Sequence, residues 1–352
     1  MRGKADRQIS LAVASVCHQS KCVAGTEPPR LRVVTTILVS VNLNRILEEE
    51  AMFRRILFPT DFSTYATATL GCVTEMKKAG MREIVLLHVV HQDEGISGST
   101  VDLDRVERLT REASTALKAA GAGLESQGFR VKTRVEVGVP GREIVRVAEE
   151  EDVSIIAMGS HGRGIVGSFL MGSVTESVLR NARRPVWVEK FNAVTKLGEV
   201  ECRRICERAF GKILWPTDFS ENAAVAFDYV KELRGAGAEE VVLLHVQDER
   251  SMRHRTSEEI AEFDRLDQGR LAEAAGELEQ LGVAAKVRLE HGHPVAKTLE
   301  VAEAEDIGCI VMGSHGRSAI AEVLLGGTAD NVVHQSRRPV LVVRREMLER
   351  GA

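Results

Sequence analysis

The chain has 352 residues, 44% hydrophobic and 28% charged, with a formal net charge of -4. That composition can bury full cores and excludes disordered, collagen-like and disulfide-scaffold classes, and the length fits two domains of about 100–200 residues. Aromatic residues are only 4% of the chain, and single-stranded nucleic acid needs stacking rings in a positive field, so nucleic acid is not expected as a partner.

Residues 1–51 come first and match nothing later in the chain. Their longest apolar-leaning run, Val33 to Leu43, holds two Thr, a Ser and an Asn. It is far short of the roughly 20 residues a spanning helix needs, so no membrane partner is expected. Arg2, Lys4 and Arg7 before Ile9 to Cys17 have the look of a secretory signal, but no clear small-x-small cleavage site follows. The favoured reading is that Met52 is the natural start, because it stands one residue before a strong strand signal.

From Phe53 the apolar pattern alternates between two periods. Ile56 to Phe58, Ile84 to Val90, Val131 to Val137, Ile155 to Met158 and Val186 to Val188 are short β-branched or apolar runs suited to buried strands. Thr64 to Lys78, Leu103 to Gln127, Arg142 to Glu150 and Val174 to Asn181 carry apolar residues at helical spacing. The pattern then recurs. Phe53 to Val89 aligns without a gap on Phe210 to Val246, with about half the positions identical, and Gly138 to Val188 aligns on Gly292 to Val342. The repeat unit of about 140 residues is too long for a solenoid and fits a whole domain. The expected organisation is an extension at 1–51, domains at 52–190 and 210–346, and a linker at 191–209. The expected fold class is α/β, with two tandem doubly wound, Rossmann-like, mostly parallel sheets of about five strands each.

In such sheets ligands bind beyond the carboxyl ends of the strands, where the winding reverses. The first strands end at Pro59, Thr60 and Asp61, and at Pro216, Thr217 and Asp218. The second strands end near Val89 and Val246. The fourth run through Met158-Gly159 and Met312-Gly313 into the GSHG loops. Gly159 and Gly162 let backbone N–H groups face one point, and Gly172-Ser173 bring a helix N-terminus to the same place, so an anion is expected there. Arg163 and Arg317 lie inside the loops and add charge. Ser173 with Glu176 also fits a capping box, which needs no ligand. Asp61 stays open between helix N-cap and ligand contact. No Gly-Lys-Ser/Thr follows either loop, so Walker A chemistry is excluded.

The spacing G-x2-G-x9-G-S, from Gly159 through Gly162 and Gly172 to Ser173, resembles the ATP-binding signature of the universal stress protein family. The likeness extends to PTDFS, LLHV, the G-x-P steps Gly138-Val139-Pro140 and Gly292-His293-Pro294, MGSHG and RRPV, in order and twice. It covers Phe53 to Lys190 and Phe210 to Arg345. The resemblance implies a tandem member of that family that binds ATP, with Mg2+. It places Asp61 on the adenine or ribose side and the Val89 backbone at the adenine edge. Gly159, His161, Gly162 and Arg163 would line the phosphate loop, with Gly172, Ser173, Val174 and Thr175 closing on ribose and phosphates. Pro59, Thr60, Gly138, Pro140 and Met158 complete that lining. The matching second set is Pro216, Thr217, Asp218, Val246, Met312, Gly313, His315, Gly316, Arg317, Gly326, Gly327 and Thr328. There Gly327 replaces the serine, and a hydroxyl one position along a helix start points about 100° away. The second site is therefore expected to be weaker or empty.

The family commonly dimerises through its last strand, so the two RRPV segments imply an internal pseudo-dimer with mutually covered edges, and further homodimerisation is left open. His161 and His315 could touch phosphate, although a loop histidine between glycines more often reads as tolerated and exposed, and His88 and His245 read as satisfied core residues. Cys202 and Cys206 would share a helix face but lack two further metal ligands. Six cysteines without a CxxC pair suit a reducing, cytoplasmic location. The charged run Thr256 to Gln280 reads as a solvated helix face. The expected function is a nucleotide-binding stress-response module, with little or slow hydrolysis and an unidentified protein partner. The rivals are a nucleotide-independent interaction protein and an ATP-using enzyme, the latter disfavoured because SGGxDS and HIGH motifs and a substrate domain are missing.

Overall fold

The computed structural model describes residues 53–91, 96–97, 100–160, 171–190, 209–316 and 325–344. The expectations for residues 1–51, for most of the linker and for Cys202 and Cys206 lie outside them. In the first copy the elements are β1 (Arg55–Pro59), α1 (Thr64–Val73), β2 (Glu83–His91), a small hairpin β3 (Ile96–Ser97) and β4 (Thr100–Val101), α2 (Leu103–Glu125), β5 (Arg130–Gly138), α3 (Pro140–Glu150), β6 (Ile155–Gly159), α4 (Ser173–Asn181) and β7 (Val186–Glu189). The second repeats them as β8 (Lys212–Thr217), α5 (Glu221–Glu232), β9 (Glu240–Asp248), a short α6 (Glu249–Met252), α7 (Ser257–Gln280), β10 (Ala284–Gly292), α8 (Pro294–Ala304), β11 (Cys309–Gly313), α9 (Gly327–Gln335) and β12 (Val340–Val343).

The strands read as unbroken apolar runs because both faces of the sheet are covered. Ile56, Phe58, Ile84, Leu86, Ile155 and Ala157 point into one layer, where Met76, Leu117 and Leu124 meet them. Leu57, Val85, Leu87, Ile156 and Met158 point into the other, against Ile144, Val147, Val178 and Leu179. Each fully buried aliphatic side chain contributes about 1.5–3 kcal/mol, and the second copy builds the same two layers.

Within each half the strands are parallel, in the orders β5-β2-β1-β6-β7 and β10-β9-β8-β11-β12. The winding reverses between β1 and β6, and between β8 and β11, which opens a crevice beyond those strand ends. The two expected sheets are halves of one ten-stranded sheet. They join where β7 and β12 pair antiparallel, Val186 opposite Val342, Trp187 opposite Leu341 and Val188 opposite Val340. This seam is packed as a core, with Trp187 5.3 Å from Phe210 and Phe53 edge-on to Tyr229 at 5.7 Å between ring centroids.

Two expected helices differ in detail. Thr64 to Lys78 divides into α1 and a 3-10 segment, Thr74–Ala79. The charged run in the second copy forms α7 behind a Thr256 capping box, but it is not simply a solvated face. Asp267, Leu271, Ala275 and Leu278 bury one stripe of it.

Candidate functional site

The turn after the first strand has the same construction in both copies. Phe62 and Phe219 take left-handed backbone angles, φ 59° and 58°, which reverse the chain sharply. The hydroxyls of Thr60 and Thr217 accept from the amides of Phe62 and Phe219, both at 3.0 Å. The carboxylates of Asp61 and Asp218 accept from the amides of Ser63 and Ser220, also at 3.0 Å. Ser63 and Ser220 are the residues that cap the following helices, accepting from Ala66 and Ala223 at 3.1 and 3.3 Å. The N-cap reading of Asp61 is thereby corrected: Asp61 braces the turn one step before the cap and sits at the crevice.

His88 and His245 hold the same turn from the neighbouring strand. Their Nδ1 atoms lie 2.8 and 2.7 Å from the carbonyls of Thr60 and Thr217, and their rings pack on Phe62 and Phe219 with centroids 4.6 Å apart, stacked in the first copy and tilted in the second. Both are satisfied residues of the scaffold, as expected.

At the other wall, the ends of the GSHG loop are tied together. Gly172 N donates to Ser160 O and Gly326 N to Ser314 O, both at 2.8 Å. Gly172 and Gly326 are the N-cap residues of α4 and α9, and neither helix has a side-chain cap. The capping-box reading of Ser173 is corrected for that reason. The extended residue is Gly172, so Ser173 is already helical and the first-turn N–H groups are left to the crevice. Thr175 turns inward instead, its hydroxyl donating to Gly159 O at 2.9 Å.

In the second copy the described residues enclose a cavity of about 690 Å³. Pro216, Thr217, Asp218, Val246, Met312, Gly313, His315, Gly316, Gly326, Gly327 and Thr328 all line it. Gly313, Gly316 and Gly326 are spatial necessities here. A β-carbon at Gly313 would stand 2.8 Å from the backbone of Asn222, and one at Gly326 3.1 Å from Ser314 O. His315 is half-buried rather than exposed, because its Nδ1 meets Ser314 Oγ at 3.0 Å. Burial and then the charge of Arg344 push its imidazole pKa down, which favours the neutral ring.

In the first copy Pro59 closes β1, Val89 lies in β2, Gly138 ends β5, Pro140 opens α3, Met158 and Gly159 end β6, and Val174 follows Ser173 in α4. His161, Gly162, Arg163 and Arg317 lie outside the described residues.

A family model described as the universal stress protein family matches residues 52–190 and again 209–344. The chain belongs to the universal stress protein family. Universal stress protein MJ0577 of Methanocaldococcus jannaschii is 38% identical over 155 residues, 40% of this chain and 96% of that protein. Universal stress protein Rv2005c of Mycobacterium tuberculosis is 28% identical over 234 residues, 65% of this chain and 73% of that one. A crystal structure of a universal stress protein from Archaeoglobus fulgidus matches with a TM-score of 0.64 and 25% identity, covering 84% of this chain and 99% of the other.

This universal stress protein also has a cavity wall that the repeat does not announce. Arg255, Phe263, Leu266, Asp267 and Arg270 come from α6–α7 and Gln247 from β9. Gln247 Nε2 donates to Asp267 Oδ2 at 3.0 Å, and His245 Nε2 lies 3.4 Å from the same oxygen. Spacing held part of the signal, since Asp267 heads the buried stripe of α7. Among the described residues no helix is long and apolar enough to cross a membrane, and no group of three His, Cys, Asp or Glu could hold a metal.

Proposed function

We propose that this universal stress protein binds an adenine nucleotide, ATP with Mg2+, in the crevice at each winding reversal, the first copy more tightly than the second. Occupancy sets its conformation or its contacts with a protein partner in the cytoplasm, and efficient hydrolysis is not part of the role. The observation that carries this reading is the convergence on one cavity of Gly313, Gly316 and the uncapped start of α9, facing Asp218. Backbone amides that face a helix N-terminus across glycines suit phosphates, and the volume lies inside the usual small-ligand range of about 300–1,000 Å³. Asp218 and the Val246 backbone would hold the nucleoside end, and the Gly313, Gly316 and first-turn α9 amides the phosphates.

The test is mass spectrometry of nucleotide carried through purification, with ATP calorimetry on the wild type, Gly162→Val and Gly316→Val. Loss of one site per substitution is expected. Absence of bound nucleotide and of any heat of binding would favour the interaction-only reading.

A further inference from the structure

Lys190 and Arg344 immediately follow the last strand of their own copies and are equivalent in the ungapped repeat. Each reaches across the antiparallel seam to the other copy. Lys190 Nζ donates to Val333 O in the last turn of α9. Arg344 donates to Leu179 O and, at 3.2 Å, to Arg180 O in the last turn of α4. Val333 and Leu179 are themselves equivalent positions, so the two contacts form one crossed pair related by the pseudo-twofold of the β7–β12 junction.

Carbonyls in the last helical turn have no intrahelical donor, and a cation there also complements the helix dipole. Arg344 is only 8% exposed. Burial pushes the Lys190 ammonium pKa down to about 8, against the opposing pull of Glu189. A buried arginine and a half-buried lysine at equivalent places need compensation, and the orphan carbonyls supply it. The opposite ends of these nine-residue helices are Ser173 and Gly327, the crevice-facing N-termini, six residues from Leu179 and Val333 along one rigid segment.

We propose that each nucleotide crevice is completed in trans: Arg344 of the second copy positions the site helix of the first, and Lys190 of the first positions the site helix of the second. This rests on the nucleotide-binding reading of the crevices. Arg344 also lies close enough to His315 to act on its pKa, so a change at Arg344 touches both crevices.

In the full chain, ATP affinity of the second crevice is read in a Gly162→Val background and that of the first in a Gly316→Val background. Lys190→Met is expected to weaken the second crevice roughly fivefold and leave the first unchanged, while Lys190→Arg restores the second. Amide hydrogen exchange provides a readout independent of nucleotide, with Lys190→Met speeding exchange in 327–335 but not in 173–181. Weakening confined to the first crevice, equal weakening of both, or no change in affinity and exchange at the second would overturn the proposal. If the wild type binds no nucleotide, the binding reading falls by itself and the exchange pattern alone decides whether the crossed hold exists.

Discussion

A β-carbon on Gly316 would stand 2.5 Å from Asp218 Oδ2. The loop after β11 and the turn after β8 therefore close on each other with no room for a side chain. Gly316→Ala must push the Asp218 carboxylate aside, whereas Gly313→Ala meets the backbone of Asn222, which cannot yield as easily. The expected outcomes separate accordingly. Gly313→Ala loses about 1–3 kcal/mol of stability in urea denaturation. Gly316→Ala keeps most of its stability but weakens ATP binding at the second crevice by about tenfold in calorimetry. Unchanged affinity for Gly316→Ala would show that Asp218 has no part in holding the ligand.

Gly327 is the mirror case, because nothing lies within 4 Å of a β-carbon built on it. It is the first residue of α9, where the first copy has Ser173. Gly327→Ser fits without rearrangement and removes a flexible helical glycine, worth about 0.5 kcal/mol of stability. A new hydroxyl at the crevice is expected to raise second-site ATP affinity by about threefold to tenfold, in line with one net hydrogen bond. Titrations in the Gly162→Val background read that gain directly. An affinity no better than that of the parent would mean that the serine of the signature does not act on the ligand.

How much of this was legible depended on whether the signal was local. Ile56 to Phe58, Ile84 to Val90 and Ile155 to Met158 announced their strands because burial on both faces leaves an unbroken apolar run. The cavity residues on the repeat motifs were equally visible, since Gly313, Gly316 and Gly326 each answer a steric demand at their own position. Ser173 misled because a capping box requires the chain to be extended at the serine, and Gly172 takes that conformation instead. Gln247 and Asp267 were invisible as a pair. They lie 20 residues apart, and each alone passes for a solvated residue, so only the packing of α7 on β9 joins them. The crossed hold of Lys190 and Arg344 depends on two copies meeting antiparallel, which no single stretch of sequence encodes.

Thr175 offers a test of the first copy that avoids its glycine loop. Its buried hydroxyl ties α4 to the end of β6 through Gly159 O, while the second copy has Ala329 at the equivalent place. Thr175→Val keeps the volume and removes the donor, so about 1–2 kcal/mol of stability is expected to be lost. Because the site helix loses its tether to the strand end, first-crevice affinity falls as well, while second-crevice affinity stays constant. A stability loss with unchanged affinity would show that α4 is held in place by its other contacts.

Glu189 sets a pH dependence at the seam. It is buried at the end of β7, where the second copy has Val343, and Trp187 Nε1 donates to its Oε2 at 3.0 Å. Burial pushes its carboxyl pKa up to about 7, against the lowering effects of Trp187 and of Lys190, and buried Cys309 lies within electrostatic reach. An unfolded glutamate titrates near 4.5, so the native chain holds the proton more tightly. Stability is therefore greatest when Glu189 is protonated, declines as pH rises from about 4.5 to about 7, and carries the full penalty of about 3 kcal/mol above that window. Glu189→Gln keeps an acceptor for Trp187 and removes the charge. Urea denaturation is expected to find the variant more stable than the wild type by about 1–3 kcal/mol at pH 8, with the difference closing toward pH 5. A variant less stable than the wild type at pH 8 would mean that the ionised carboxylate is compensated by Lys190 strongly enough to reverse the sign.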